Sequence, residues 1–238
     1  MDTLFLIAVS FLTSTLTATI GLGGGVLLIS IMATALPPAA VVPVHGAVQL
    51  ASNSSRVLLG GPHVEWRIVG PFVGGAILGA VAGSRVVAHF SFDELPLYLG
   101  VFILTVTWLP VPGRGLRFPG QYAILGAVQT FLSLFVGATG PMTSPFLLRA
   151  GLPKDRLVVT LGVVMTVIHI LKLVVFTVAG FAFAPYLPLI GGMVAAVVLG
   201  SWAGTRLRGH VPERALRTTL TLVITALALR MIVSSWPG

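Results

Sequence analysis

The sequence contains no cysteine and very little charge. Without cysteine among its 238 residues, the chain has no disulfides, thiolate metal sites or cysteine nucleophiles. Only 8% of the residues are Asp, Glu, Lys or Arg, whereas soluble domains contain roughly 25%. Hydrophobic residues make up 56% and the mean hydropathy is +1.03, more than one soluble core can bury. The composition predicts an all-α polytopic membrane protein.

Common catalytic patterns are also absent from the sequence. There is no H-E-x-x-H, no G-x-S-x-G and no carboxylate pair within an apolar stretch, which argues against an enzyme and offers no metal or cofactor site. The net charge of +8 comes from basic residues scattered at segment ends, without a basic run that contains aromatics. This pattern indicates a lipid bilayer as partner and argues against nucleic acid.

Long apolar stretches predict about eight membrane spans. They lie near residues 4–35, 41–60, 67–88, 94–111, 120–148, 156–180, 184–206 and 214–234. With eight spans, one set of loops holds eight basic residues and the other holds four, which places the first set in the cytoplasm and both termini outside. The first set is Arg85, Arg149, Lys154, Arg156, Arg206, Arg208, Arg214 and Arg217, and the second is Arg67, Arg114, Arg117 and Arg230.

An internal repeat divides the chain into residues 1–113 and 114–238. At an offset of 116, residues 21–25 (GLGGG) align with residues 137–141 (GATGP); at an offset of 121, residues 79–85 (GAVAGSR) align with residues 200–206 (GSWAGTR). Duplicated halves are typical of secondary transporters, which bind substrate between the repeats near mid-membrane. Four spans in each half would make the repeats parallel, but the exact span count, and with it the choice between parallel and inverted repeats, stays open.

The two glycine-rich stretches predict breaks in the first helix of each repeat, because glycine weakens a helix interior. Backbone N–H groups at the start of each following half-helix would then face an anion. The alternative is that these small residues only allow close helix packing. The candidate binding residues at the breaks are Gly23, Gly24, Gly25, Thr139 and Gly140.

Charged residues in the second span of each repeat are the other candidates. Arg56 aligns with Lys172, and Asn53 aligns with His169, so each half has a donor followed three residues later by a cation. Intramembrane charges are costly and usually functional, and these cations suit a small anionic substrate. Arg56 lies nearer a loop, where the alternative is a residue that extends to the membrane surface.

Three further polar residues are weaker candidates. Gln49 and Gln129 would line the cavity or, alternatively, form hydrogen bonds between helices. His45 would relay protons together with His169, although a structural role as an interior histidine is equally compatible with the sequence.

The order of these motifs resembles the sulfite exporter TauE/SafE family over almost the whole chain. The matching residues are 21–25, Leu36-Pro37, 137–141, 151–153 (GLP) and the repeated G-x-x-A-G segments. The resemblance implies a permease of the bacterial or archaeal cytoplasmic (inner) membrane for sulfite, sulfoacetate or related organosulfur anions. Export by alternating access is expected, with an anion channel or a membrane-embedded enzyme as alternatives. The sequence leaves the coupling ion and the oligomeric state open, a homodimer included.

Overall fold

A computed structural model describes residues 3–21, 23–61, 63–109, 118–207, 210 and 213–235, with only the backbone for Lys154 and residues 213–217. Within these residues the chain forms ten α-helices and no β-strand. A 3-10 turn, Ala184–Tyr186, precedes α9. The helices are α1 (Thr3–Ile20), α2 (Gly24–Met32), α3 (Pro38–Gly60), α4 (Trp66–Val87), α5 (Leu95–Trp108), α6 (Gln121–Val136), α7 (Gly140–Arg149), α8 (Lys154–Val178), α9 (Leu187–Leu207) and α10 (Glu213–Ser234).

Four of the described segments are long and apolar enough to cross a membrane. They are Thr3–Ile20, Trp66–Val87, Asp155–Val178 and Ala184–Leu207. The helix α3 is also long, but its buried face carries polar side chains, including His45, Gln49 and Asn53. The all-helical, membrane-spanning class is therefore confirmed, while the number of spans stays a prediction.

The first predicted break reverses the direction of the chain. The helix α1 ends at Ile20, and Gly21 and Gly23 adopt φ angles of 94° and 92°, which L residues with a side chain rarely adopt. Gly24 then packs so closely against Thr13 that a Cβ atom would collide with the Thr13 carbonyl oxygen. In one straight helix these residues would lie about 16 Å apart, so α2 folds back along α1.

The second break has the same form. Gly137, at a φ of 68°, ends α6, and α7 begins at Gly140 with Pro141 in its first turn. The Gln129 side chain hydrogen-bonds both the Thr139 carbonyl oxygen and the Thr143 hydroxyl. A straight helix would separate residues 129 and 143 by about 21 Å, so α7 also turns back toward α6.

These reversals give the two halves opposite orientations. At the centre α3 packs against α8: Gly46 contacts Lys172, whereas Gly162 contacts Val57, so the two helices are antiparallel. Of the two arrangements that the sequence leaves open, the antiparallel packing of α3 and α8 favours inverted halves. The helices α2 and α7 reverse the chain, so that each half has five helices in the described residues.

Glycines let the outer helices of one half approach the other half closely. The helix α1 runs parallel to α9, and α4 runs parallel to α6. A Cβ atom at Gly79 would collide with the Ala127 carbonyl oxygen, and one at Gly200 would collide with the Phe11 carbonyl oxygen. Gly79 aligns with Gly200, and Phe11 aligns with Ala127, so the two contacts are equivalent in the repeat.

The reversals also change which basic residues share one end of the molecule. Arg156, at the start of α8, forms a 3.2 Å ion pair with Glu65, just before α4. We call this the basic end, because most basic residues belong to helix ends there or to the segments that connect them. In the part of the chain that the structure describes they are Arg67, Arg149, Lys154, Arg156, Arg206, Arg214 and Arg217; the predicted loop residues Arg114, Arg117 and Arg208 lie outside the described residues. Arg85 and Arg230 belong to the opposite end, so the grouping expected for eight simple spans is wrong.

Replacing Gly79 with alanine should destabilise the protein. The added Cβ atom forces α4 away from the Ala127 carbonyl, and overpacking of this kind costs about 1–3 kcal/mol. Gly74→Ala is the matched control, because Gly74 lies on the same helix and has no atom within 4 Å of its Cβ position. Thermal unfolding in detergent should show a lower Tm for Gly79→Ala only; equal Tm values would contradict the close contact.

Candidate functional site

A small pocket lies where the two chain reversals meet. Its volume is about 60 Å³, room for roughly four or five water molecules, and both halves contribute to it. None of its lining residues is Asp or Glu. The lining residues are Thr17, Gly21, Gly23, Gly25, Val26, His45, Gln49, Asn53, Arg56, Ala138, Thr139, Gly140, Pro141, Leu161, Met165 and His169.

Arg56 brings a positive charge to this pocket. Its side chain is 8% exposed, and Asn53 orients it: the guanidinium Nη2 donates to Asn53 Oδ1 at 2.6 Å, and its Nε donates to the Ser52 carbonyl at 3.1 Å. Asn53 is itself held by a 2.7 Å hydrogen bond from its Nδ2 to the Gln49 carbonyl. The predicted pairing of a polar residue with a cation one helical turn later is thus present in α3.

Two helix N-termini begin at the same pocket. The helix α2 starts at Gly24 and α7 starts at Gly140, and neither has a side chain that caps its first turn. The first N–H groups of a helix have no partner within the helix, and the helix dipole is positive at that end. Together with Arg56, these ends make the pocket electrostatically suited to an anion.

His45 and His169 meet beside the pocket, one from each half. Their ring centroids are 6.2 Å apart in an edge-to-face arrangement, and both side chains are buried. His45 Nε2 lies 3.0 Å from the Gly25 carbonyl oxygen and donates to it, which ties α3 to the start of α2. The two predicted relay residues are therefore neighbours, and the relay itself stays a prediction.

Lys172 lies behind the pocket rather than in its wall. Its side chain is fully buried, and Nζ donates a 2.6 Å hydrogen bond to the carbonyl oxygen of Gly137. That carbonyl belongs to the last turn of α6, the negative end of the helix dipole. In this structure Lys172 thus stabilises the second reversal, whereas the aligned Arg56 faces the pocket.

Two other predicted residues also lie outside the lining. Gly24 packs against Thr13 of α1. Gln129 is fully buried and connects α6 to α7 through its bonds to Thr139 and Thr143. Both residues therefore shape the reversals that carry the pocket, while the other predicted site residues line it.

A second cavity lies between the pocket and the basic end. Its volume is about 170 Å³, and Arg56 lines both cavities. We call it the basic-end vestibule; its other lining residues are Leu59, Gly60, Asp155, Val158, Val159 and Thr205. Because Asp155 is exposed, the vestibule extends to the surface, and Arg56 stands at its inner limit.

The sequence of the chain matches a known protein family. The model of the family described as "Sulfite exporter TauE/SafE" matches residues 6–231. The chain belongs to the sulfite exporter TauE/SafE family. It is also 27% identical over 205 residues to the "Probable inner membrane transporter protein TsaS" of Comamonas testosteroni, covering 80% of this chain and 83% of the relative. No solved structure matches the chain. The family and this relative support a membrane transporter and not an enzyme.

The sequence did not single out every residue of this TauE/SafE pocket. Thr17, Leu161 and Met165 line it, but a threonine, a leucine and a methionine in apolar helices carry no signal of function. Thr17 lies one helical turn before the first reversal, which is the one clue to its position. Asp155 lines the vestibule, but a single acidic residue at the edge of an apolar stretch likewise carries no signal of function.

Gln129→Leu should destabilise the second reversal. The substitution leaves the buried Thr139 carbonyl and Thr143 hydroxyl without this partner, at a cost of about 1–3 kcal/mol for each unsatisfied group. Gln121→Leu, at the partly exposed start of the same helix, is the control. Thermal unfolding in detergent should give a clearly lower Tm for Gln129→Leu, and equal values would refute this role.

Proposed function

We propose that this protein is a secondary transporter of the inner membrane that exports a small sulfur-containing oxyanion by alternating access. The observation that carries the proposal is the buried Arg56 guanidinium in a pocket between two helix N-termini, with no carboxylate in the pocket lining. Arginine binds oxyanions with two parallel hydrogen bonds, and backbone N–H groups complete such a site.

The size of the pocket supports a small substrate. A volume of about 60 Å³ accommodates an anion of about four or five heavy atoms, by comparison with the space that water molecules need. Sulfite has this size, and sulfoacetate, which has about twice as many heavy atoms, would extend past Arg56 toward the vestibule. The family and the inner-membrane relative favour sulfur-containing anions among the oxyanions of this size.

The opposite orientation of the two halves supports alternating access. In this proposal residues 1–113 and 114–238 form inverted repeats, with α3 and α8 at their shared centre. Inverted repeats are common in secondary transporters, whose substrate site lies between the repeats and becomes accessible from each side in turn. A permanently open channel is the second candidate, but Val42 and Lys172, which align with the vestibule residues Val158 and Arg56, are fully buried.

The distribution of basic residues supports export. Cytoplasmic loops carry an excess of lysine and arginine, so the basic end, with seven such residues in the described helices against two at the opposite end, would face the cytoplasm. The basic-end vestibule would then admit anions from inside the cell. The membrane potential favours their exit by about 2.3 kcal/mol per charge and 100 mV, so export needs no coupling ion.

Flux measurements in proteoliposomes test the proposal. Wild-type protein should carry sulfite or sulfoacetate with saturable kinetics that respond to an imposed potential. Arg56→Ala should lower the flux about 30-fold or more, because losing a charged partner in a buried site costs at least about 2 kcal/mol. Arg85→Ala, at an exposed position of the opposite end, is the control and should behave like wild type.

Two results would count against this function. Wild-type flux in Arg56→Ala would exclude Arg56 from the substrate site. Currents that rise with concentration without saturation would indicate a channel.

A further inference from the structure

The basic-end vestibule has a counterpart that is closed in this structure. Val158 lines the vestibule and aligns with Val42, and Arg56 aligns with Lys172. Val42 and Lys172 are both 0% exposed. At these positions α3 supplies the valine and α8 supplies the cation, whereas at the basic-end vestibule α8 supplies the valine and α3 supplies the cation. The two halves are thus equivalent in sequence but differ in accessibility.

Aromatic side chains fill the counterpart position. The ring centroid of Phe176 lies 6.0 Å from that of Phe92 and 6.4 Å from that of Phe181. The ring centroid of Phe90 lies 5.0 Å from that of Phe92 and 4.9 Å from that of Phe135. We call these five residues the aromatic cap. They join the last turns of α6 and α8 to the segments that follow α4 and α8, at the end opposite the basic end.

No aromatic residues occupy the equivalent positions at the basic end. Phe176 aligns with Gly60, which lines the open vestibule, and Phe135 aligns with Thr19. The larger side chains of these phenylalanines, compared with glycine and threonine, therefore explain why the vestibule is open and its counterpart is filled. Val42 and Val175 belong to the same buried apolar cluster as the rings of the cap, and Val42 lies opposite Phe176 in the register of α3 and α8.

We propose that the aromatic cap closes a second vestibule, through which the anion leaves on the opposite side, and that Lys172 is the cationic residue of that path. The inference rests on the proposed function, because inverted repeats exchange conformations between the two transport states. In the second state Lys172 Nζ leaves the Gly137 carbonyl and faces the opened cavity, as Arg56 faces the basic-end vestibule here.

The charge of Lys172 fits such a path. A compact ammonium group on a flexible chain attracts an oxyanion without holding it by two fixed hydrogen bonds. Its present partner is a neutral carbonyl, which an anion or water can replace when the cap opens. A permanent structural role would instead keep Lys172 on Gly137 in every state.

Single cysteines test the proposal cleanly, because the chain has no native cysteine. Val158→Cys and Val42→Cys are matched substitutions at aligned positions. A charged, membrane-impermeant maleimide should label Val158→Cys from the cytoplasmic side of vesicles. Val42→Cys should label only from the external side, and about tenfold faster or more during sulfoacetate transport, because a minor state is populated at no more than about 10%.

A second pair of variants isolates the cap. Phe176→Ala, combined with Val42→Cys, should permit external labelling without any substrate, since Phe176 lies opposite Val42 in the antiparallel register that the Gly46–Lys172 contact sets between α3 and α8. Phe146→Ala is the control, because Phe146 lies on α7 next to Arg149 of the basic end and outside the cap.

The outcomes separate this inference from the proposed function. If wild type carries no sulfoacetate, the proposed function fails for that anion. The comparison of Phe176→Ala with Phe146→Ala, each combined with Val42→Cys, still tests whether the aromatic cap closes a second vestibule. If Val42→Cys transports normally but is never labelled, or is labelled from the cytoplasmic side, the second vestibule is refuted. The same holds if Phe176→Ala leaves Val42→Cys unlabelled.

Discussion

The structure depends on one constraint: a backbone that turns inside an apolar protein must find partners for the peptide groups that the turn leaves unpaired. The chain turns twice in this way, at residues 21–23 and 137–139. Glycines supply the left-handed backbone angles, and Gln129, His45 and Lys172 bond the carbonyl groups near the turns. The N–H groups of the following helices are left at a shared pocket, which is therefore suited to an anion.

The positions of both turns could be predicted from the sequence, because four glycines in residues 21–25 and the G-A-T-G-P stretch of residues 137–141 are incompatible with a stable helix interior. The direction that the chain takes after each turn could not be predicted from the sequence. A kinked helix that continues and a helix that folds back have the same glycine signature. Only contacts such as Gly24 with Thr13 distinguish them. These contacts decide how the two halves are oriented and place Arg67 at the basic end.

The candidate site shows a similar division. A cation in an apolar stretch indicates that the residue is buried for a reason, which suits both Arg56 and Lys172. It does not indicate which way the side chain points. Arg56 faces the pocket, whereas Lys172 reaches the end of α6. This difference between aligned residues, together with the aromatic rings around Phe176, makes the two ends of the protein unlike each other.

The most direct test of the account is an experimental structure of the protein with sulfoacetate. The account predicts density for the anion between residues 21–23 and 137–139, with its oxyanion group within hydrogen-bonding distance of the Arg56 guanidinium and of the first N–H groups of α2 or α7. An anion bound only among the surface basic residues near Arg156, with the pocket empty, would contradict it.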